Sequence, residues 1–93
     1  MTTSKDTADL VTSREETHGN YADVSRIAQS IKQIISYECS NRIDRSQKPL
    51  FLAHVESLEM IAVKIGRIIA GDPTFQDHWD DIAGYARIAN GQR

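Results

Sequence analysis

The stretch PLFLAHVESLEMIAVKIGRIIA, Pro49 to Ala70, decides the fold. Placed at about 100° per residue, Phe51, Val55, Leu58, Ile61, Ala62, Ile65, Ile68 and Ile69 gather on one side of a helix. Their arc is wider than a single partner helix hides. The helix expected over about 49–70 therefore packs on two neighbours or across a subunit interface. Pro49 suits its first turn, where a missing N–H costs nothing. Gly71-Asp72-Pro73 ends it, because Gly accepts the left-handed conformation at a helix C-terminus and Pro tolerates the start of the next helix.

On the C-terminal side, Phe75, Trp79, Ile82, Ala86 and Ala89 predict the buried stripe of a helix over about 74–90, followed by Gly91. On the N-terminal side, Ser40 to Lys48 reads as a polar connection with Ile43 as its one apolar residue. Before it, Val24, Ile27, Ala28, Ile31, Ile34 and Ile35 recur at helical spacing and predict a helix over about 20–39. Asn20 caps that helix, with Asp23 three residues on in a near capping box. Met1 to Thr17 is polar apart from Leu10 and Val11 and reads as a flexible or weakly helical lead. With no repeat and no strand-like alternation, the expected fold is all-α. It is an antiparallel bundle of three main helices with a short fourth helix admitted at the N-terminus, and a single domain over 18–93 follows the lead of 1–17.

A chain of 93 residues buries only roughly 60% of its unfolded surface, so oligomerisation would add needed stability. The net charge is -2, with 11 basic and 13 acidic residues. That balance argues against general nucleic-acid binding, and the cluster Arg42, Arg45 and Lys48 reads as a solvated loop. Cys39 is the single cysteine and requires no oxidising compartment, so a cytoplasmic location is expected. The polar start of the chain lacks the apolar core of a signal peptide, and no apolar run approaches the ~20 residues of a membrane span.

Charged residues at the margins of the apolar faces are the candidate chemistry. Lys64, with Arg67 further round, can point at an anion between helices, as a point charge suited to phosphate. The bland alternative is a Lys stem that covers core while its ammonium stays wet. Glu56 and Glu59 form an E-x-x-E pair at a spacing that lets two carboxylates approach one Mg²⁺, though they lie opposite the apolar stripe. Asp77 and Asp81, four apart with Tyr85 one turn on, repel unless a cation lies between them. Mg²⁺ is one answer and Lys64 or Arg67 another. In the structural alternative Asp77 completes a capping box with Thr74 while Asp81 pairs with Lys64. His54 sits in the middle of the apolar arc and reads as a satisfied core or interface histidine. His18 and His78 look isolated. No Ser or Cys shows the pattern of a nucleophile, and no Gly-rich phosphate loop is present.

Taken together, His18-Gly19 before an amphipathic helix, Lys64-Ile65-Gly66-Arg67, and Asp77 followed by Asp81-Ile82-Ala83-Gly84-Tyr85-Ala86 resemble a family of small helical phage and prophage proteins of unknown function. The resemblance covers about Thr17 to Ala89. That family is similar in turn to the MazG-like all-α nucleoside triphosphate pyrophosphohydrolases. The resemblance implies an oligomeric helical bundle with Mg²⁺ held by acidic residues of two helices, here Glu56, Glu59, Asp77 and Asp80 or Asp81. Lys64 and Arg67 would then contact phosphates, and His18, Trp79 and Tyr85 would edge the site. Glu56 and Glu59 stand where the phage family is mainly apolar, and the second acidic motif begins with Asp rather than Glu. The expected function is nucleotide handling, by Mg²⁺-dependent pyrophosphohydrolysis. Two alternatives stand beside it: non-catalytic binding of a nucleotide or a host protein, and a purely structural helical oligomer.

Overall fold

The computed structural model describes residues 4–42, 48 and 50–92. Four helices follow in order: α1, Ser4–His18; α2, Tyr21–Asn41; α3, Leu52–Ala70; and α4, Gln76–Asn90. No strand occurs among the described residues. The N-terminal segment is thus a full helix of 15 residues, longer than the short one expected. Pro49, Ile43 and Arg45 lie outside the described residues, and α3 begins at Leu52.

Local chemistry sets most helix ends. Asn20 Oδ1 accepts from the N–H groups of Ala22 and Asp23 at 3.0 and 3.4 Å, which starts α2 as the sequence predicts. Asp23 then stands 3.6 Å from Arg26 on the exposed side. At the start of α3 the capping residue is Phe51, which has no acceptor in its side chain. His54 supplies the cap from within the helix, its Nδ1 accepting the Phe51 N–H at 3.0 Å while the two rings stack at 5.4 Å. The histidine predicted in the middle of the apolar arc is therefore half-buried and engaged in capping. Before α4, Thr74 bonds Asp72 and not Asp77: its N–H and Oγ1–H donate to Asp72 Oδ1 at 2.8 and 2.6 Å. Those bonds hold the Asp72 carboxyl below its ordinary range.

Helix α3 is the centre of the molecule, with α2 packed on one side and α4 on the other. Gly66 permits the closest approach to α2, since a Cβ there would meet the Val24 carbonyl at 2.9 Å. At the other end, Ile34 and Ile35 of α2 share a groove with Leu50 and Leu58, so α2 and α3 run past each other in opposite senses. Lys64 meets Asp81, and His54 shares a groove with Ala86 and Ala89, which gives α3 and α4 the same relation. Two neighbours cover part of the α3 arc, and Phe51, Leu58 and Ile69 stay exposed.

The face that α4 turns to α3 matches the predicted one at Phe75, Ile82 and Ala89 and departs from it at Trp79 and Ala86. Trp79 is half-exposed and Ala86 exposed, while His78 is 1% exposed, with Phe75, Ile82, Tyr85 and Ala89 half-buried along the same edge. Trp79 hangs over the preceding turn, its indole N–H donating to the Pro73 carbonyl at 2.8 Å. A polar ring replaces Trp79 at the centre because its proton has a partner far away in sequence, as described below.

Candidate functional site

The junction between α1 and α2 is pressed against the junction between α3 and α4. Gly19 has φ +84°, a left-handed backbone that favours glycine, and a Cβ at this position would lie 2.7–2.9 Å from Ala70 atoms. Gly71 is equally tight from the other side: a Cβ would stand 2.5 Å from the Thr17 carbonyl oxygen. That carbonyl accepts two bonds, from the Asp72 N–H at 3.1 Å and from the His78 ring at 2.9 Å. Since a carbonyl only accepts, His78 Nε2 carries a proton.

His18, expected to be isolated, meets His78 edge to face at 4.7 Å, and Phe75 completes a triangle with them at 5.4 and 4.9 Å. His18 Nδ1 lies 2.6 Å from Thr17 Oγ1. Its pKa is lowered, first by desolvation and then by the positive charges of Arg14, His78, Arg67 and Lys64. Four basic groups from three helices thus converge on one ring.

Two of the predicted phosphate contacts have parted company. Lys64 is buried, and its Nζ stands 2.8 Å from Asp81 Oδ2, the pairing named in the structural alternative. The ammonium holds the Asp81 carboxyl below its ordinary range. Arg67, half-buried, lines a cleft of about 450 Å³ walled by α1, α2 and α3. Arg14 and Glu15 reach this cleft from α1, Tyr21 and Lys32 from α2, and His18 closes its end. Val11, Val24, Ala28 and Val63 give it an apolar lining. Among the described residues Arg14, Lys32 and Arg67 make no ion pair.

The remaining predicted site residues stand elsewhere. Asp77 and Asp81 are exposed on α4, Glu56 is exposed and Glu59 half-buried on α3, and none of them lines the cleft. Trp79 and Tyr85 do not line it either. Among the described residues no group of three or more His, Cys, Asp or Glu is placed to hold a metal ion. One chain taken alone therefore does not assemble Glu56, Glu59, Asp77 and Asp81 as a Mg²⁺ site, and Asp81 is engaged by Lys64. Arg14, Lys32 and Tyr21 are the cleft residues that sequence reading missed. Their signal was faint: Tyr21 and Lys32 lie eleven residues apart, on the α2 face that also carries Val24 and Ala28.

No helix among the described residues is long and apolar enough to cross a membrane. A family model described as a domain of unknown function, DUF6378, matches residues 4–92, and the chain belongs to that family. No curated protein and no solved structure matches the chain.

Proposed function

We propose that this protein is a nucleotide-handling protein of the binding type, which holds a small phosphorylated ligand in the cleft between α1, α2 and α3. The observation that carries the proposal is a set of three cations that make no ion pair among the described residues, in a cleft with one carboxylate, Glu15, in its lining. Arg67 and Lys32 are half-buried beside apolar walls, where an unpaired charge is costly, and Arg14 faces the same space. A phosphate group relieves that cost: the guanidiniums donate in pairs to its oxygens, and the lysine adds a point charge. The apolar lining and Tyr21 accommodate the uncharged body of the ligand, and about 450 Å³ lies within the range of small-molecule sites. The nucleotide class is supported by the resemblance of the segment from Lys64 to Tyr85 to small phage proteins that are similar in turn to the MazG-like pyrophosphohydrolases. An antiparallel bundle of α2, α3 and α4 is the scaffold of the proposal, with α1 as a wall of the site.

The proposal contains no metal and no bond cleavage. Catalysis of the MazG-like kind needs carboxylates gathered around Mg²⁺, and the donors of a single chain do not meet that need. Titration calorimetry with nucleoside mono-, di- and triphosphates and with inorganic phosphate tests the reading. Binding of at least one phosphate compound is expected, weakened tenfold or more in Arg67→Ala. Absence of binding heat at several temperatures, with unaltered thermal stability at millimolar ligand, would remove the nucleotide reading. Release of pyrophosphate in the presence of Mg²⁺ would replace binding by hydrolysis.

A further inference from the structure

The cleft between α1, α2 and α3 carries a charge that can be counted. Arg14, Lys32 and Arg67 contribute three positive charges, and Glu15 is the one acidic residue of its lining. His18 adds none at pH 7.5, because desolvation holds its pKa below the ordinary 6.5. Two neighbouring pairs answer each other outside the cleft, Lys64 with Asp81 and Arg26 with Asp23. Two positive charges are left over, beside the apolar side chains of Val11, Val24, Ala28 and Val63. An anion that brings more charge than this leaves the surplus uncompensated against apolar walls, which is costly.

The fold fixes the place of the carboxylate. Glu15 is half-buried in the last turn of α1, and its Oε1 accepts from Asn20 Nδ2 at 3.4 Å. Asn20 is itself held, since its Oδ1 caps α2 by accepting from Ala22 and Asp23. Arg14 and Arg67 both act on the His18 ring, so the two guanidiniums share the end of the cleft nearest Glu15. Lys32 enters farther along α2, eleven residues beyond Tyr21. An ionised carboxylate only accepts, and so it gives a phosphate oxygen no bond. Among the described residues Glu15 forms no ion pair with the three cations. What it adds to the cleft is repulsion, the part of specificity that works against the wrong ligand.

We infer, on the phosphate reading of the cleft, that Glu15 is a specificity residue that restricts the ligand to a phosphate monoester and turns away di- and triphosphates. A monoester carries about two negative charges at pH 7.5, its second pKa being about 6. That matches the charge left over. A cyclic diester lacks the second ionisation, and each further phosphate adds charge that faces Glu15. Mg²⁺ on a triphosphate lowers the charge but brings a hydrated cation toward Arg14, Lys32 and Arg67, with Glu15 alone in the lining to receive it.

Titration calorimetry of the full chain at pH 7.5 is the test, with a nucleoside monophosphate, the matching di- and triphosphates with and without Mg²⁺, the cyclic monophosphate and ribose phosphate. The monophosphate is expected to bind at least about tenfold more tightly than the diphosphate, the triphosphate and the cyclic diester. Glu15→Gln keeps an acceptor for Asn20 and removes the charge. In this variant the di- and triphosphates should gain about tenfold and the monophosphate less than about threefold, which closes the preference. Lys32→Gln moves the charge the other way: the monophosphate should lose about tenfold and the cyclic diester less than about threefold. Ribose phosphate, a monoester without a base, separates two sources of the same group. A nucleotide is the ligand if ribose phosphate binds about tenfold more weakly than the nucleoside monophosphate, and a sugar phosphate if it binds equally well; the monoester rule is supported by both. A wild type that takes the triphosphate as tightly as the monophosphate would overturn the inference and leave the cleft a phosphate site. An unchanged preference in Glu15→Gln, folded by circular dichroism, would do the same. Silence of every phosphate compound would remove the cleft reading and this inference together.

Discussion

Lys64 and Arg67 stand less than one turn apart on α3, yet their flanks of that helix are built differently. Toward α4, the ammonium of Lys64 is buried and has its carboxylate at 2.8 Å. Toward α1 and α2, the guanidinium of Arg67 is half-buried beside open space and has no counterion among the described residues. A charge answered from within the chain locks two helices together, and a charge left unanswered is available to something that arrives. The pairing with Asp81 makes Lys64 part of the scaffold, and its absence at Arg67 makes the other flank the place to look for a ligand.

The comparison breaks at once if both flanks lose their common anchor. Gly71→Ala forces a Cβ to within 2.5 Å of the Thr17 carbonyl and 2.6 Å of the Gly19 nitrogen. A loss of more than ~3 kcal/mol is expected, together with all ligand binding, measured by urea denaturation and calorimetry. Lys64→Ala should separate the flanks. Removing the buried Lys64 stem is expected to cost about 2–3 kcal/mol, a drop in Tm of roughly 10–20 °C, with ligand affinity retained in the folded fraction. Arg67→Ala should do the reverse: affinity falls about tenfold to a hundredfold, while stability changes by less than about 0.5 kcal/mol. Equal effects of the two substitutions on stability and affinity would erase the distinction between the flanks.

The smallest effect is in pH. His18 has a folded pKa below its ordinary 6.5. The unfolded chain therefore takes up a proton that the fold does not, and stability should decline as pH falls below about 6.5. Asp81 is lowered in the fold by Lys64, so its contribution is full above the ordinary 3.8 and is lost only as pH falls below that value. An anion among Arg14, Lys32 and Arg67 would favour the imidazolium of His18, against the repulsion of Arg14, His78, Arg67 and Lys64. Affinity should therefore rise a few-fold between pH 7.5 and 6, and a His18→Gln variant should lose that slope.

Helical periodicity made α2, α3 and α4 legible, because their apolar residues recur every three or four positions over fifteen residues or more. It failed for α1, where Leu10 and Val11 offer no stripe to read. It also misplaced part of the inner edge of α4, and the reason lies outside that helix. His78 is drawn inward by the carbonyl of Thr17, sixty-one residues earlier, a partner that local patterning does not reveal. The Lys64–Asp81 pair was legible as one of two uses for an acidic pair beside a basic margin. The Arg14–Lys32–Arg67 cleft was not, since it joins three helices whose relative positions are tertiary facts. His54 shows the same limit on a smaller scale, its place in the apolar arc concealing its bond to the Phe51 N–H.

The carbonyl of Thr17 leaves a trace that isotope exchange can read. Its bond to the Asp72 amide joins the last turn of α1 to a loop more than fifty residues away. Helix α1 otherwise rests on little of the remaining molecule. When α1 swings away, that amide meets solvent and trades its proton for deuterium, whatever happens in α3. The exchange lifetime of one backbone proton, at Asp72, thus reports how often the cleft loses its outer wall, and a ligand that bridges Arg14 to Arg67 should lengthen it.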